Sequence, residues 1–346
     1  MSIDCEEVEK TSAYCIVHLP AANGGTLEVR VSSVAQNTLD KTNPPNYIMI
    51  AGPTASGKSQ LAIDLARAFD GEVINADSMQ LYSDLSVLTA RPSAADMKDI
   101  AHHLYGVLDG AQRASVAIWL GLAAEAMAAI QARGRMPIIT GGTGMYLDAA
   151  MNGIAVVPDV PVKIHDAATT LYQDIGGAAF RKKLAKLDPL VASRLVDGDR
   201  QRLIRAMGVV TATGTPLSTW QERAHEGALE GRPIKLAMLP SRKILYKRID
   251  DRFDLMLERK VLEEVHRLAT RRLDSTLPLM KALGLSALIS VLNKEITLEE
   301  ARYTGKRDSR HYAKRQMTWL RNNFNPKMLI NEKLSESLSE KIFSNL

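Results

Sequence analysis

The sequence predicts an α/β fold: a mostly parallel sheet flanked by helices, interrupted by a helical insertion and completed by a helical C-terminal region. Three observations carry that expectation. The run Gly52-Pro53-Thr54-Ala55-Ser56-Gly57-Lys58-Ser59 fits the phosphate-loop pattern G-x-x-x-x-G-K-[ST] at every fixed position, between an apolar pentapeptide and an amphipathic stretch. Apolar, strand-like runs then alternate with helical periodicities, the signature of a parallel sheet with helices on its faces. After Pro158 that alternation stops, and turn-separated helical patterns run to about residue 230.

Taken in order, residues 1–43 hold a weak alternation at Val29, Val31 and Val34 and end at the breaker cluster Asn43-Pro44-Pro45-Asn46. They form an extension of unassigned role, either a loose segment or a short hairpin. Tyr47-Ile48-Met49-Ile50-Ala51 is a short buried strand, and Gln60 to Phe69 puts Leu61, Leu65 and Ala68 at helical spacing. Glu72-Val73-Ile74-Asn75-Ala76 and Met136-Pro137-Ile138-Ile139-Thr140 are further strands, separated by an alanine-rich helix from Val116 to Arg133. The phosphate-loop core therefore comprises 44–157 and 231–325, the latter with a strand at Ile234 to Met238 and helices from Lys243 onward. Residues 158–230 are an all-helical insertion with turns at Gly176-Gly177 and Gly198, and residues 326–346 are a frayed tail.

Composition narrows the setting. At 346 residues and 46% hydrophobic the chain can bury a substantial core, and no apolar run is long enough for a membrane span. Cys5 and Cys15 lack metal-ligand spacing, and the acidic start is unlike a secretory signal, so a reduced cytoplasm is expected. The net charge of +5 permits a nucleic-acid partner, and its distribution says more. On a helix of about 100° per residue, Arg302, Lys306, Arg307, Arg310, Lys314 and Arg321 share an arc of roughly 140°, with Tyr312, Gln316, Trp319 and Leu320 opposite. That helix is expected to dock by one face and to offer phosphate contacts on the other.

The chemistry should gather where strand ends meet the phosphate loop. Backbone N–H groups and a helix N-terminus there cradle phosphate oxygens, Lys58 adds a point charge, and the Ser59 hydroxyl can ligate Mg²⁺. The second strand runs straight into Asp77, whose carboxylate can hold Mg²⁺ or act as a general base; an N-cap role for it is compatible with either. The third strand runs into Gly141-Gly142-Thr143-Gly144, a turn able to present a hydroxyl and N–H groups while its glycines allow close approach. No acid ends that third strand, which disfavours motor ATPases and GTPases. A small-molecule or nucleotide kinase and a transferase with a phosphate leaving group both remain.

Seven segments resemble, in order, the tRNA dimethylallyltransferase (tRNA isopentenyltransferase) family. They are Gly52 to Ser59, Asp77-Ser78-Met79-Gln80-Leu81-Tyr82, Thr89-Ala90-Arg91-Pro92, His102-His103-Leu104, Gly141 to Tyr146, Asp199 to Ala206, and Tyr312 to Arg321. The resemblance spans about residues 47–321 and implies a P-loop NTPase-like sheet. It implies transfer of a dimethylallyl group from dimethylallyl diphosphate to the exocyclic amine of the adenosine just 3′ of the anticodon in tRNA, with Mg²⁺ and release of diphosphate. Gly52, Pro53, Thr54, Ala55, Ser56, Gly57, Lys58 and Ser59 would then hold a leaving group, with Ser59 and Asp77 on the metal. Asp77 would take the amine proton, Thr143 would orient the amine or Asp77, and Arg242 matches the family arginine on the diphosphate.

The same resemblance puts Asp77, Ser78, Met79, Gln80, Thr143, Gln201, Arg202, Leu203, Ile204, Arg205, Lys281, Ala282, Leu283, Gly284, Leu285 and Ser286 against the anticodon stem-loop, with Lys314 on the basic helix. His165 sits near a position where the family often has an RNA-contacting arginine. The chain departs from the family pattern at Gly208, where an acid is usual, at Lys260, where a glycine is usual, and at Leu285, where an aromatic is usual. The histidine pair has no third ligand at metal spacing and is expected to pack or cap. A monomer is expected.

Overall fold

The computed structural model describes residues 14–20, 26–32 and 46–330. Its strands are β1 (Tyr14–Pro20), β2 (Thr26–Ser32), β3 (Tyr47–Ala51), β4 (Gly71–Ala76), β5 (His102–His103), β6 (Met136–Gly141), β7 (Ile154–Ala155), β8 (His225–Glu226), β9 (Pro233–Met238) and β10 (Met328–Ile330). Eight of them form one sheet in the order β1-β2-β10-β9-β3-β6-β4-β5. From β10 to β5 every neighbouring pair is parallel, while β1 and β2 form an antiparallel pair with β2 alongside β10. The central strands β3 and β4 are buried at every position, as expected of a parallel sheet covered on both faces.

The helices are α1 (Lys58–Ala68), α2 (Ala94–Met97), α3 (Val116–Ala132), α4 (Gly144–Asn152), α5 (Val162–Leu184), α6 (Pro189–Arg194), α7 (Arg200–Thr213), α8 (Leu217–Glu222), α9 (Arg242–Glu258), α10 (Val261–Thr270), α11 (Leu285–Leu292) and α12 (Leu298–Trp319), the last running on into a π-turn, Leu320–Phe324. Leu61 and Leu65 of α1 pack on Ile48, Ile50, Val73, Ile138 and Leu236, each such side chain contributing about 2 kcal/mol of burial. On α3, buried Trp119 stacks on Tyr146 and donates to the Asn75 carbonyl at 2.7 Å, tying α3 and α4 to the end of β4. A second apolar cluster joins Tyr82, Leu85 and Leu88 to Phe253, Met256, Val261, Leu279 and Leu285.

The register is what positions the site. Ala51 pairs with Gly141 and Ala237, and Gly141 pairs with Ala76. The carboxyl ends of β3, β4, β6 and β9 are therefore level, and the segments that follow them emerge along one sheet edge, the usual ligand edge of an α/β sheet.

The described chain divides into two compact units, residues 149–228 and the remainder. In the smaller unit α5, α6, α7 and α8 bury Phe180, Leu184, Leu203, Ile204 and Val209. The fully buried Asp188 accepts from the backbone N–H of Val191 and of Ser218, capping α6 and reaching the first turn of α8. The expectation of an all-helical insertion needs one correction: β7 and β8 close its base as a two-residue antiparallel ribbon. Gly153, at φ 74°, allows this, since a Cβ there would lie 2.5 Å from the Glu226 carbonyl.

The expected tail is also corrected. Met328–Ile330 pairs with β9 and Leu239 N–H donates to the Ile330 carbonyl at 2.8 Å, because Met328 and Ile330 are apolar enough to enter the main core. The rest of that tail, 331–346, lies outside the described residues, as do Cys5, Val34 and the breaker residues Asn43 to Pro45. The described part of the extension is the β1–β2 hairpin.

Candidate active site

The phosphate loop leaves β3 at Gly52, where a Cβ would stand 2.5 Å from the Ser56 hydroxyl oxygen, and returns through Ala55 and Gly57, both at positive φ. α1 then opens at Lys58, so its positive end faces the loop. Lys58 Nζ donates to the Pro53 carbonyl at 3.3 Å. Burial pushes its ammonium down to about 8; the charge of Asp77 opposes that fall and Arg252 adds to it.

A cavity of about 300 Å³ lies over the loop, lined by Lys58, Ser59, Asp77, Gln80, Thr140, Arg248 and Arg252 among others. A second, of about 240 Å³, is of mixed character, with an apolar patch of Met79, Leu88, Ile249, Phe253, Met256 and Leu283 in its wall beside Lys281, Ser309, Tyr312 and Arg315. Thr54, Asp77, Thr89 and Arg252 line both. The carboxylate thus stands where a cationic chamber meets one with an apolar patch in its wall.

Asp77 is held by its neighbours. Its N–H donates to Asn75 Oδ1 at 2.8 Å, and its Oδ1 accepts from Met79 N–H at 3.0 Å, so it caps a turn and not a helix. The Asn75 amide in turn donates to the carbonyls of Asp77 and Leu104. Thr143 Oγ1 accepts from Ser78 N–H at 3.0 Å, joining the β6 turn to the Asp77 segment. The three glycines around Thr143 serve packing against protein, contrary to the expected approach of ligand. A Cβ on Gly141 would lie 2.2 Å from the Ala76 carbonyl oxygen, on Gly142 2.2 Å from Gln316 Nε2, and on Gly144 2.5 Å from the Trp319 indole.

Several expected site residues are placed elsewhere. Arg242 is exposed at the first position of α9 and outside both cavity walls. The arginines that reach the site are Arg248 and Arg252, one face further along the same helix. Arg252 hydrogen-bonds the Thr54 hydroxyl, and burial lowers its pKa against the opposing pull of Asp77. Arg248 donates to the Ser56 carbonyl at 3.4 Å. Their i, i+4 spacing beside the apolar positions Leu245, Ile249 and Phe253 is a sequence signal for two cations on one half-buried face. Leu203, Ile204 and Leu285 are core side chains, since each sits on the apolar stripe of its helix, whereas Gln201, Arg202 and Arg205 of α7 are exposed.

Around the second cavity, Ser78, Met79, Lys281, Ala282 and Leu283 line the wall. Gly284, at φ 80°, starts α11 and Ser286 is exposed. Gln80 faces the cationic cavity while its amide donates to the carbonyls of Thr89 and Ala90. His165 is exposed, 3.5 Å from Asp166. His102 bonds the Ile100 carbonyl and His103 bonds Glu72, so the pair serves local packing. Sequence reasoning missed Glu264, a buried carboxylate accepting from the N–H groups of Ser86, Val87 and Leu88 and from the Ser86 hydroxyl; it pins the segment that carries Leu88 and Thr89 to the cavities.

The basic helix is the largest correction to charge reasoning. Lys306 pairs with Asp254 at 2.7 Å, Arg310 with Asp250 at 2.6 Å, and Arg302 with Glu299 at 3.0 Å. Asp250 and Asp254 come from α9, more than 50 residues away in sequence, while Glu299 lies one turn back on α12 itself. Lys314 and Arg315 remain exposed.

Ser59 and Asp77 line the same cavity and offer a hydroxyl and a carboxylate, hard oxygen donors that suit Mg²⁺ when phosphate oxygens complete the shell. Among the described residues no group of three or more His, Cys, Asp or Glu converges.

Comparison with known proteins agrees with this geometry. The IPP transferase family profile matches residues 80–323, and an isopentenyl transferase profile matches residues 45–107. The chain is 47% identical over 296 residues to a protein of Paramagnetospirillum magneticum named tRNA dimethylallyltransferase, covering 86% of this chain and 94% of the relative. A Rhodopseudomonas palustris protein of the same name is 48% identical over 80% of this chain and 87% of its own length. Among solved structures, the full-length tRNA isopentenylpyrophosphate transferase of Bacillus halodurans superposes with a TM-score of 0.63 at 31% identity, covering 87% of this chain and 95% of that one. A eukaryotic dimethylallyltransferase captured acting on tRNA gives 0.68 at 29% identity, covering 79% and 69%.

Proposed function

The chain belongs to the IPP transferase family, and from that premise we propose that it transfers a dimethylallyl group from dimethylallyl diphosphate to the exocyclic amine of the tRNA adenosine 3′-adjacent to the anticodon. The observation that carries this reading is that Asp77 lines both the cationic cavity over the phosphate loop and a second cavity with an apolar patch in its wall. The diphosphate occupies the cationic chamber, where Lys58, Arg248 and Arg252 offset its charge. The dimethylallyl group turns toward the apolar wall of Met79, Leu88 and Phe253. The amine nitrogen attacks the prenyl carbon, the carbon–oxygen bond breaks, and the proton passes to Asp77, while Thr143 holds the Ser78 backbone and with it the Asp77 turn in place.

Charge grows on the bridging oxygen as that bond breaks, so Lys58 and Arg252 stabilise the transition state more than the bound donor. Ser59 and Asp77 would hold Mg²⁺, which when bound would further neutralise the leaving group. Docking of the anticodon arm uses the exposed Lys281, Lys314 and Arg315, and the base leaves its stack to reach Asp77; the smaller unit offers RNA the exposed α7 cations Arg202 and Arg205. The same reading has it act as a monomer in the cytoplasm. No helix among the described residues is long and apolar enough to cross a membrane.

A kinase is not favoured, because the relatives that match most of this chain are named tRNA dimethylallyltransferase. Incubating the protein with labelled dimethylallyl diphosphate, Mg²⁺ and unmodified tRNA is expected to put label into RNA. ATP-dependent phosphorylation of a small acceptor with no label in RNA would overturn the reading.

A further inference from the structure

Displacement at the prenyl carbon needs the leaving group, the carbon and the attacking amine in line, and a misplacement of about 1 Å costs on the order of a hundredfold in rate. The two loops that fix this line leave separate strands. The phosphate loop follows β3 and the Thr143 turn follows β6, and the strand pairing between them ends at Ala51 and Gly141. One side chain from a distant helix spans the two loops just beyond that point. Gln316 of α12 accepts from Thr54 N–H at 2.9 Å through its carboxamide oxygen and donates to the Gly142 carbonyl at 2.9 Å through its amide nitrogen.

The bridge is built into the packing. Gln316 is 6% exposed, and Gly142 has no room for a Cβ because the Gln316 nitrogen is there. One turn earlier on α12, the Tyr312 hydroxyl lies beside Thr143 and Gln316, and burial followed by the charge of Asp77 keeps that phenol protonated. Both bonds of Gln316 go to backbone of the two loops that the reaction must hold in register. A residue that only docked α12 would need neither.

We propose that Gln316 is a positioning residue for the transfer: it sets the spacing between the diphosphate loop and the turn bearing Thr143, and Tyr312 extends the same constraint to the Thr143 hydroxyl. The assignment rests on the transferase reading above. It makes α12 the element that presents Lys314 and Arg315 to RNA on one face and fixes the reaction line with the other.

The test is steady-state transfer from labelled dimethylallyl diphosphate to tRNA by the full chain and by Gln316→Met, Gln316→Glu and Tyr312→Phe, with melting temperatures alongside. Gln316→Met is expected to lower kcat by at least about tenfold while KM for tRNA stays within about twofold. Gln316→Glu is isosteric and carries the sharper readout. Ionised, its carboxylate repels the Gly142 carbonyl; protonated, it donates to that carbonyl and still accepts from Thr54 N–H. Its kcat relative to the unaltered chain should therefore rise as pH is lowered from about 8 to about 6. Wild-type kcat in the variants, or a relative kcat for Gln316→Glu that is flat with pH, overturns the assignment alone. An unaltered chain that puts no label into RNA overturns the transferase reading and this assignment together.

Discussion

Two helices of the C-terminal region use the same residue types to opposite ends. α9 sends Arg248 and Arg252 into the cavity over the phosphate loop, where burial lowers the pKa of Arg252 and its close neighbours are the Thr54 hydroxyl and the Asp77 charge. α12 carries more cations, but Lys306 and Arg310 are held by Asp254 and Asp250 of α9 and do not face an open site. Abundance of charge is therefore a poor guide to charge that acts. A cation left short of protein anions in a cavity is poised for a ligand anion, and one already paired at a helix interface has spent its field on packing.

The sharpest way to break this contrast is within α9. Arg252→Ala is expected to lower kcat/KM by about 100- to 1000-fold, the usual cost of removing one preorganised contact to a developing oxyanion, with Arg242→Ala near wild type. Equal effects of the two in a transfer assay would mean that the cavity wall does not mark the working arginine. Lys58 provides the next test, through pH. Its ammonium, held at about 8, loses its charge within the assayable range, so kcat/KM for the prenyl donor should fall as pH rises above about 8, and Lys58→Arg should remove that limb at some cost in rate. A donor kcat/KM that stays level to about pH 10 would contradict it.

A smaller effect separates the two kinds of cation on α12. Lys314→Ala should weaken tRNA binding several-fold and lower the slope of log affinity against log salt by about 1, whereas Arg310→Ala should leave that slope alone and cost up to about 1 kcal/mol of stability. Binding titrations at several salt concentrations and denaturant melts read the two arms. The smallest effect concerns the break between α9 and α10. Lys260 caps α10 at φ 62°, a conformation that glycine adopts without steric cost, so Lys260→Gly should stabilise the chain by about 0.5–1 kcal/mol. A lower melting temperature would show that the Lys260–Glu263 contact outweighs the backbone strain.

What was legible in the sequence follows local rules. The phosphate loop, the strands that flank it, Asp77 at a strand end and the glycine-rich turn at Thr143 each depend on contiguous residues with a fixed geometric demand. The docked face of the last helix, with Tyr312, Gln316 and Leu320, was legible from periodicity as well. The family resemblance pointed to Arg242, whereas Arg248 and Arg252 line the cavity, because sequence spacing does not say which face of α9 meets it. Leu203, Ile204 and Leu285 were misread for the same reason: a motif names a segment, while burial selects residues within it.

By itself the sequence determined the phosphate cradle, the parallel order of elements around it and the resemblance that names a prenyl transfer, because each is written in short-range spacing that no distant contact can alter. Only the tertiary structure decided which charges are spent and which are free. Asp250 and Asp254 neutralise α12 from another helix, Glu264 pins the cavity wall from 176 to 178 residues away, and Gln316 joins two loops more than 170 residues distant from it. Electrostatic and hydrogen-bonding roles depend on distance in space, and folding alone sets that distance.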